Sequence, residues 1–303
     1  SDEINRSIHF RSTDFLLAFN FTANVMGKTK EFLLPEYIPN TLKAEAVSYI
    51  NVLEELFDGV ESIFREPYGC FEQVSSSTFP NIFALQLLKE DINPNKEIEK
   101  KALKYLQAGY NKLAAYEVKR TGGFEWYGGS PAHEVLSAYG LVEFYEMGKV
   151  YNNVDQKMME RTREFILSRK DNNGGFKQNN GRYGFSGAPK NVNNAYIVYA
   201  LTETKNCDQI ESEYKHALNE AFSSKDLYRM ALMANAAYNM KDIENYQKLI
   251  TGFKEYSVKN DFSKIKIDAS IVRSWGDANQ RETVAFWIMA LLKNKDSLDT
   301  ALI

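Results

Sequence analysis

A cysteine and a glutamine three residues apart are the side chains of this sequence best placed to react with each other. Cys70 is one of two cysteines in 303 residues, and Gln73 follows it in the run Pro67-Tyr68-Gly69-Cys70-Phe71-Glu72-Gln73. If the cysteine ends a turn and a helix begins after it, an i, i+3 pair lies on one face, so the thiol sulfur and the carboxamide carbon can touch. A thiolate that attacks this carboxamide and expels ammonia forms an internal thioester, an acyl group held at high energy. The place before a helix start favours thiolate, through unpaired backbone N–H groups and the positive end of the helix dipole. Glu72 beside it works against that effect. A lone cysteine at a helix start is more often structural than reactive, so the weight falls on the string around it.

The elements that must hold this pair are mainly helical. Residues 1–40 read as a short β segment, with Ser7–Arg11, Phe15–Thr22 and Glu31–Leu34 rich in aromatic and branched residues and bounded by turn formers. From Thr41 onward the apolar residues recur at helical spacing. Val52, Leu53, Leu56, Val60, Ile63 and Phe64 form a stripe that ends at the Pro67 turn. Phe71–Thr78 reads as a short helix interrupted at Pro80, which restarts it as a first-turn residue. Ile98–Leu113, Val135–Met147, Met158–Ile166, Ala195–Leu201, Ile210–Phe222, Leu227–Met240, Tyr246–Tyr256 and Thr283–Leu292 give the later helices. Gly122-Gly123-Phe124 recurs as Gly174-Gly175-Phe176, 52 residues on, and Ser274-Trp275-Gly276 falls near two further steps. Five or six helix pairs repeating at this period predict an α/α toroid, with an open solenoid as the alternative. Equivalent loops then share one end: Cys70, Gly122–Pro131, Gly174–Pro189 and Ser274–Gln280.

Composition narrows the function. A net charge of −3 gives no electrostatic case for nucleic acid or an anionic membrane, and 44% hydrophobic residues suffice for a sizeable core. No apolar run reaches the length of a membrane-spanning helix. The chain opens Ser1-Asp2-Glu3 without methionine and reads as a piece of something longer. Glu72, Glu125 and Glu134 would be the carboxylates of a toroid glycosidase, yet no spacing fixes a pair. Cys207, Asp208 and His216 match no common zinc pattern, and no metal or cofactor is expected. Cys70 and Cys207 would make one disulfide, or Cys207 is a small buried residue near a helix start. A Cys70–His133 protease dyad would lack a third group and an oxyanion hole.

The Pro67–Gln73 string resembles the Gly-Cys-Gly-Glu-Gln thioester motif of the alpha-2-macroglobulin and complement family, as does Phe79-Pro80-Asn81-Ile82 after it. Phe71 stands where vertebrate members carry glycine, and bacterial members also carry a bulky residue there. The resemblance covers about residues 36–303, densely at 66–88 and 122–147. It implies a toroidal thioester domain, residues 41–303, attached to the end of a β domain, 1–40. It implies a protease trap in which a proteinase cuts a bait segment elsewhere in the parent, and the exposed Cys70–Gln73 thioester acylates amines or hydroxyls of the attacker. That is single-use transacylation, not enzyme turnover. The implied partners are proteinases and other domains of the parent, and the implied location is extracytoplasmic, in the periplasm or at the cell surface.

A thioester must be kept from water. Tyr68, Phe71, Trp126 and Tyr127 are the aromatic candidates for lining or covering it, and ordinary packing at the toroid end is their alternative. In complement-like members a histidine after a similar Gly-x-Phe segment attacks the thioester to give an acyl-imidazole, and the resemblance puts His133 in that role. Imidazole suits it, being nucleophilic while neutral near pH 7. Alpha-2-macroglobulins carry asparagine there. A histidine at a helix N-terminus, bonded to Glu134 or a backbone group, is the plainer reading. Two rivals from other classes remain: a toroid binding module with no active thioester, and an enzyme that uses the toroid cavity.

Overall fold

The computed structural model describes residues 64–90, 96–181, 185, 187–259 and 267–294. All of them fall within one compact unit, Tyr49–Ile303. The expected β segment 1–40 and most of the stripe that ends at Phe64 lie outside the described residues. Nine helices run through the described part: α1 Phe71–Glu90, α2 Lys96–Ala115, α3 Glu134–Gly148, α4 Gln156–Ser168, α5 Lys190–Glu203, α6 Glu211–Ser224, α7 Leu227–Asn239, α8 Ile243–Lys259 and α9 Asp277–Lys293.

Their burial sorts them into two rings. In α5 every residue from Val192 to Thr202 is buried, and α3 and α7 are covered on nearly all sides. A helix apolar or small all round belongs inside. By contrast α2 buries only Ala102, Leu106, Gly109 and Leu113, and α4 only Met158, Thr162, Phe165 and Ile166. Those are single stripes at i, i+4, i+7 spacing, the mark of an outer layer. The packing partners agree. Helix α1 meets α3, α3 meets α5, α5 meets α7 and α7 meets α9, while α2, α4, α6 and α8 brace them from outside. Burying each large apolar side chain of these stripes contributes about 1.5–3 kcal/mol. The fold is the expected α/α toroid.

Helix starts follow local chemistry. Asp155 caps α4 through Lys157 N at 2.9 Å, and Asp226 caps α7 through Arg229 N at 2.9 Å. The expectation of a break at Pro80 is corrected, because α1 runs through it without interruption. Proline costs a helix one N–H and crowds the preceding turn. Side chains add further bonds to carbonyls of the same stretch: Ser77 Oγ donates to Val74 O at 2.9 Å, and Asn81 Nδ2 donates to Ser77 O at 2.9 Å.

The glycine repeat has a structural counterpart. Glu117 bridges to Phe124 and Lys170 to Phe176, each pair antiparallel. Phe124 N then donates to Ser137 Oγ of α3 at 2.8 Å, and Phe176 N donates to Asn194 Oδ1 of α5 at 3.1 Å. Each repeat therefore pins its loop to the next inner helix by the same device.

Candidate functional site

Cys70 is the residue on which α1 begins. Its carbonyl accepts the first helical bond, from Val74 N at 2.9 Å, so it is the N-cap, and Gln73 is the third residue of the helix. The Gln73 carboxamide folds back, and Oε1 accepts the Cys70 N–H at 3.1 Å. This is half of a capping box, in which a Gln at the third position reaches the N-cap amide. An ordinary helix-start motif thus brings a carboxamide beside a thiol. Gly69 makes room for it. Its φ is +90°, and a β-carbon there would lie 2.8 Å from Gln73 Cδ, so no other residue fits without strain. Cys70 is buried, whereas Gln73 is exposed.

Helix α2 and the turn after it grip the segment from one side. Lys112 Nζ donates to Pro67 O at 2.6 Å, and the Tyr116 hydroxyl donates to Gly69 O at 2.6 Å. Burial, and then the charge of Cys70, raise the Tyr116 phenol above its ordinary value. Three further loops meet the same place. Trp126 O accepts Phe71 N at 2.9 Å, which ties the Gly122–Pro131 loop to the start of α1. Phe185 N donates to Glu72 Oε1 at 3.1 Å, and Arg273 packs on Gly187, which brings in the Gly174–Pro189 and Ser270–Gly276 segments. Of the loops expected at one end of the toroid, Gly122–Pro131 and Gly174–Pro189 are joined to the start of α1 by these contacts, and Arg273 stands just ahead of the expected Ser274–Gln280 loop. Glu72 is held by a backbone N–H of another loop.

The aromatic candidates divide. Tyr68 and Tyr127 are exposed, at 68% and 58%. Phe71 and Trp126 are buried, and the Phe71 ring lies inward at 5.1 Å from Phe124. Both buried rings belong to the core, and Phe71 packs between α1 and α3. His133 is buried, caps α3 by accepting Leu136 N on Nδ1 at 3.3 Å, and sets its ring 5.1 Å from that of Trp126. Burial lowers its pKa to about 4, so it is neutral. No hydrogen bond joins it to Cys70 or Gln73. Tyr116, absent from the sequence candidates, is the titratable side chain that feels the charge of Cys70.

The remaining candidates have local duties. Glu125 Oε2 accepts Tyr127 N at 2.8 Å and Gly129 N at 3.0 Å. Glu134 pairs with Arg169 at 2.6 Å and accepts Asn179 N at 2.8 Å. Cys207 and Cys70 are both free thiols, and Cys207 Sγ points at Asn239 O, 3.8 Å away. Among the described residues no three His, Cys, Asp or Glu side chains are grouped to hold a metal ion.

A double ring of helices with a Cys-x-x-Gln half capping box at one end defines a class, the α/α toroids. Comparison with known proteins agrees. The family model described as the A-macroglobulin TED domain matches residues 45–291, and the chain belongs to that family. Thioester-containing protein 1 of Anopheles gambiae, allele S3, is 23% identical over 255 residues, which cover 82% of this chain and 19% of that protein. Allele S1 is equally similar, so the chain spans about a fifth of the length of these relatives. Among solved structures, native alpha-2-macroglobulin of Escherichia coli superposes with a TM-score of 0.56 at 17% identity, over 80% of this chain and 14% of that one. A crystal structure of the same protein from domain MG7 to the C-terminus gives 0.51 at 14% identity, over 79% of this chain and 38% of that one. These two likenesses concern the fold.

Proposed function

We propose that Cys70 and Gln73 form an internal thioester and that this toroid is the reactive module of a protease-trapping protein. The observation that carries the reading is the seat of the Gln73 carboxamide, folded over Gly69 with its oxygen on the Cys70 N–H. Formation is balanced within the chain. The Cys70 sulfur bonds to Gln73 Cδ, the Cδ–Nε2 bond breaks, and the thiol proton leaves with the nitrogen as ammonia. An incoming amine then adds at Cδ and displaces the sulfur, which takes up a proton from the amine. The bond is spent in one event, which makes the chemistry transacylation without turnover.

Family membership supports the wider reading, in which cleavage of a bait segment elsewhere in a longer parent exposes the thioester to the attacking proteinase. Other domains of that parent and the proteinase are the proposed partners, and an extracytoplasmic site fits the encounter. Among the described residues no helix is long and apolar enough to cross a membrane. Direct attack by lysine amines is the favoured route, because the one lone pair of His133 is engaged in capping.

Intact mass spectrometry tests the bond. The chain should be lighter than its sequence by one ammonia, or should carry Glu at 73 where the bond has formed and hydrolysed. Methylamine should add to the intact fraction, and Cys70→Ala should show none of these changes. A wild-type chain at full sequence mass that takes up no methylamine would sink the reading.

A further inference from the structure

The peptide unit between Gly69 and Cys70 has a partner on each of its two polar ends. Its carbonyl accepts the Tyr116 hydroxyl at 2.6 Å, and its N–H donates to Gln73 Oε1 at 3.1 Å. In a planar trans peptide these two groups point in opposite directions, so whatever fixes one fixes the other. A hydrogen bond into the carbonyl also polarises the amide and strengthens its N–H as a donor. Tyr116 stands in the turn directly after α2, its own N–H bonded to Leu113 O at 3.0 Å, and Lys112 inside that helix holds Pro67 O in the same way.

The Gln73 oxygen is where negative charge gathers when Cδ is attacked. This holds for the sulfur that makes the thioester and for the amine that opens it. A donor already placed on that oxygen stabilises the charge without reorganisation. The neighbouring N–H, that of Phe71, is occupied by Trp126 O at 2.9 Å. The Cys70 N–H therefore acts as the oxyanion donor of this site.

We infer that Tyr116 is a positioning residue for the thioester reaction: through the Gly69–Cys70 peptide it aims and polarises the N–H that stabilises the oxyanion on the Gln73 carbonyl. This rests on the thioester reading above and deepens it. The raised phenol pKa keeps Tyr116 protonated, hence a donor, at neutral pH. Nothing else is asked of the hydroxyl; it neither gains nor loses a proton in the reaction.

The test uses the 303-residue chain with methylamine as the probe. In Tyr116→Phe the extent of ammonia loss should fall. Methylamine uptake per intact thioester should slow by about tenfold, the size expected for one lost hydrogen bond. The thermal midpoint is followed alongside. Site-specific 3-fluorotyrosine at 116, a stronger donor of nearly the same shape, should instead speed uptake, a change that a merely structural role would not produce. It also keeps the test decisive should Tyr116→Phe fold poorly. Uptake at the wild-type rate in the fluorotyrosine protein, or in a folded Tyr116→Phe, would overturn the inference while leaving the thioester intact. A wild-type chain without ammonia loss would instead remove the thioester itself, and this role with it.

Discussion

His133 is defined by which of its nitrogens is free. Nδ1 accepts the Leu136 N–H, and burial keeps the ring neutral down to about pH 4, so the proton sits on Nε2. The only lone pair in the ring plane is then the one that caps α3. Nucleophilic attack would demand both a tautomer change and loss of the cap. Asparagine is also a good N-cap, so His133→Asn removes the imidazole and keeps the helix start. The ratio of glycerol esterification to methylamine uptake is expected to stay within about twofold of wild type, because the helix cap is kept and the lost imidazole takes no part in the transfer. Lost glycerol reactivity with methylamine uptake spared would restore the acyl-transfer role. The Cys70–Gln73 pair was legible in the sequence because a capping box is local, four residues from end to end. Tyr116 was not. It stands 47 residues from the carbonyl it holds, just past the end of a helix, where it reads only as another aromatic. Phe185 and its bond to Glu72, 113 residues away, were hidden for the same reason.

At the scale of elements, α1 and α3 meet through a large residue against a small one. A β-carbon on Gly140 would come within 2.8 Å of Phe71 Cζ and 3.3 Å of Phe124 Cδ2. Phe71 is therefore large because Gly140 is small, and together they set how close the reactive helix lies to its neighbour. Gly140→Ala gains about 1 kcal/mol of helix propensity but overpacks a filled site at about 1–3 kcal/mol. A net loss of about 1 kcal/mol is expected in urea unfolding. Adding Phe71→Leu should recover part of it, so the pair should be non-additive by at least about 0.5 kcal/mol. Strict additivity would show that the two helices do not depend on this contact. The Gly-Gly-Phe spacing announced the repeat because each copy needs the same turn before the same pin to an inner helix. The run through Pro80 was illegible, since a propensity reading weighs the lost N–H and not the packing of α1 against α2 and α3.

Across the whole molecule, the inner helices enclose a polar axis. Ser75 of α1, Tyr139 and Glu143 of α3, Tyr196 of α5, Tyr228 of α7 and Glu282 of α9 all contribute to it. Glu282 is satisfied by the Tyr228 hydroxyl at 2.9 Å and the Ser274 hydroxyl at 2.6 Å. Glu143 is fully buried with no well-formed hydrogen bond to either oxygen. Burial pushes its pKa up to about 8, with Ser75 acting weakly the other way. Tyr139 and Tyr196 are the titratable groups that face it, their phenols raised first by burial and then by nearby carboxylates that include Glu143. A raised carboxyl pKa stabilises the fold fully below the unfolded value, near 4.5, and the benefit is lost as pH rises towards 8. His133 has the opposite sign: its contribution is complete above 6.5 and is lost as pH falls towards 4. Between pH 4.5 and 6.5 the two slopes oppose each other and nearly cancel. Of the two, only Glu143 acts from pH 6.5 to 8, and its contribution should fall by about 1.4 kcal/mol per pH unit. Glu143→Gln, which mimics the neutral acid, should flatten that alkaline limb and leave His133 to set the acid side. Urea midpoints measured from pH 5 to 9 decide it. An equal decline above pH 6.5 in wild type and variant would mean that Glu143 is not the group holding a proton at the centre of the ring.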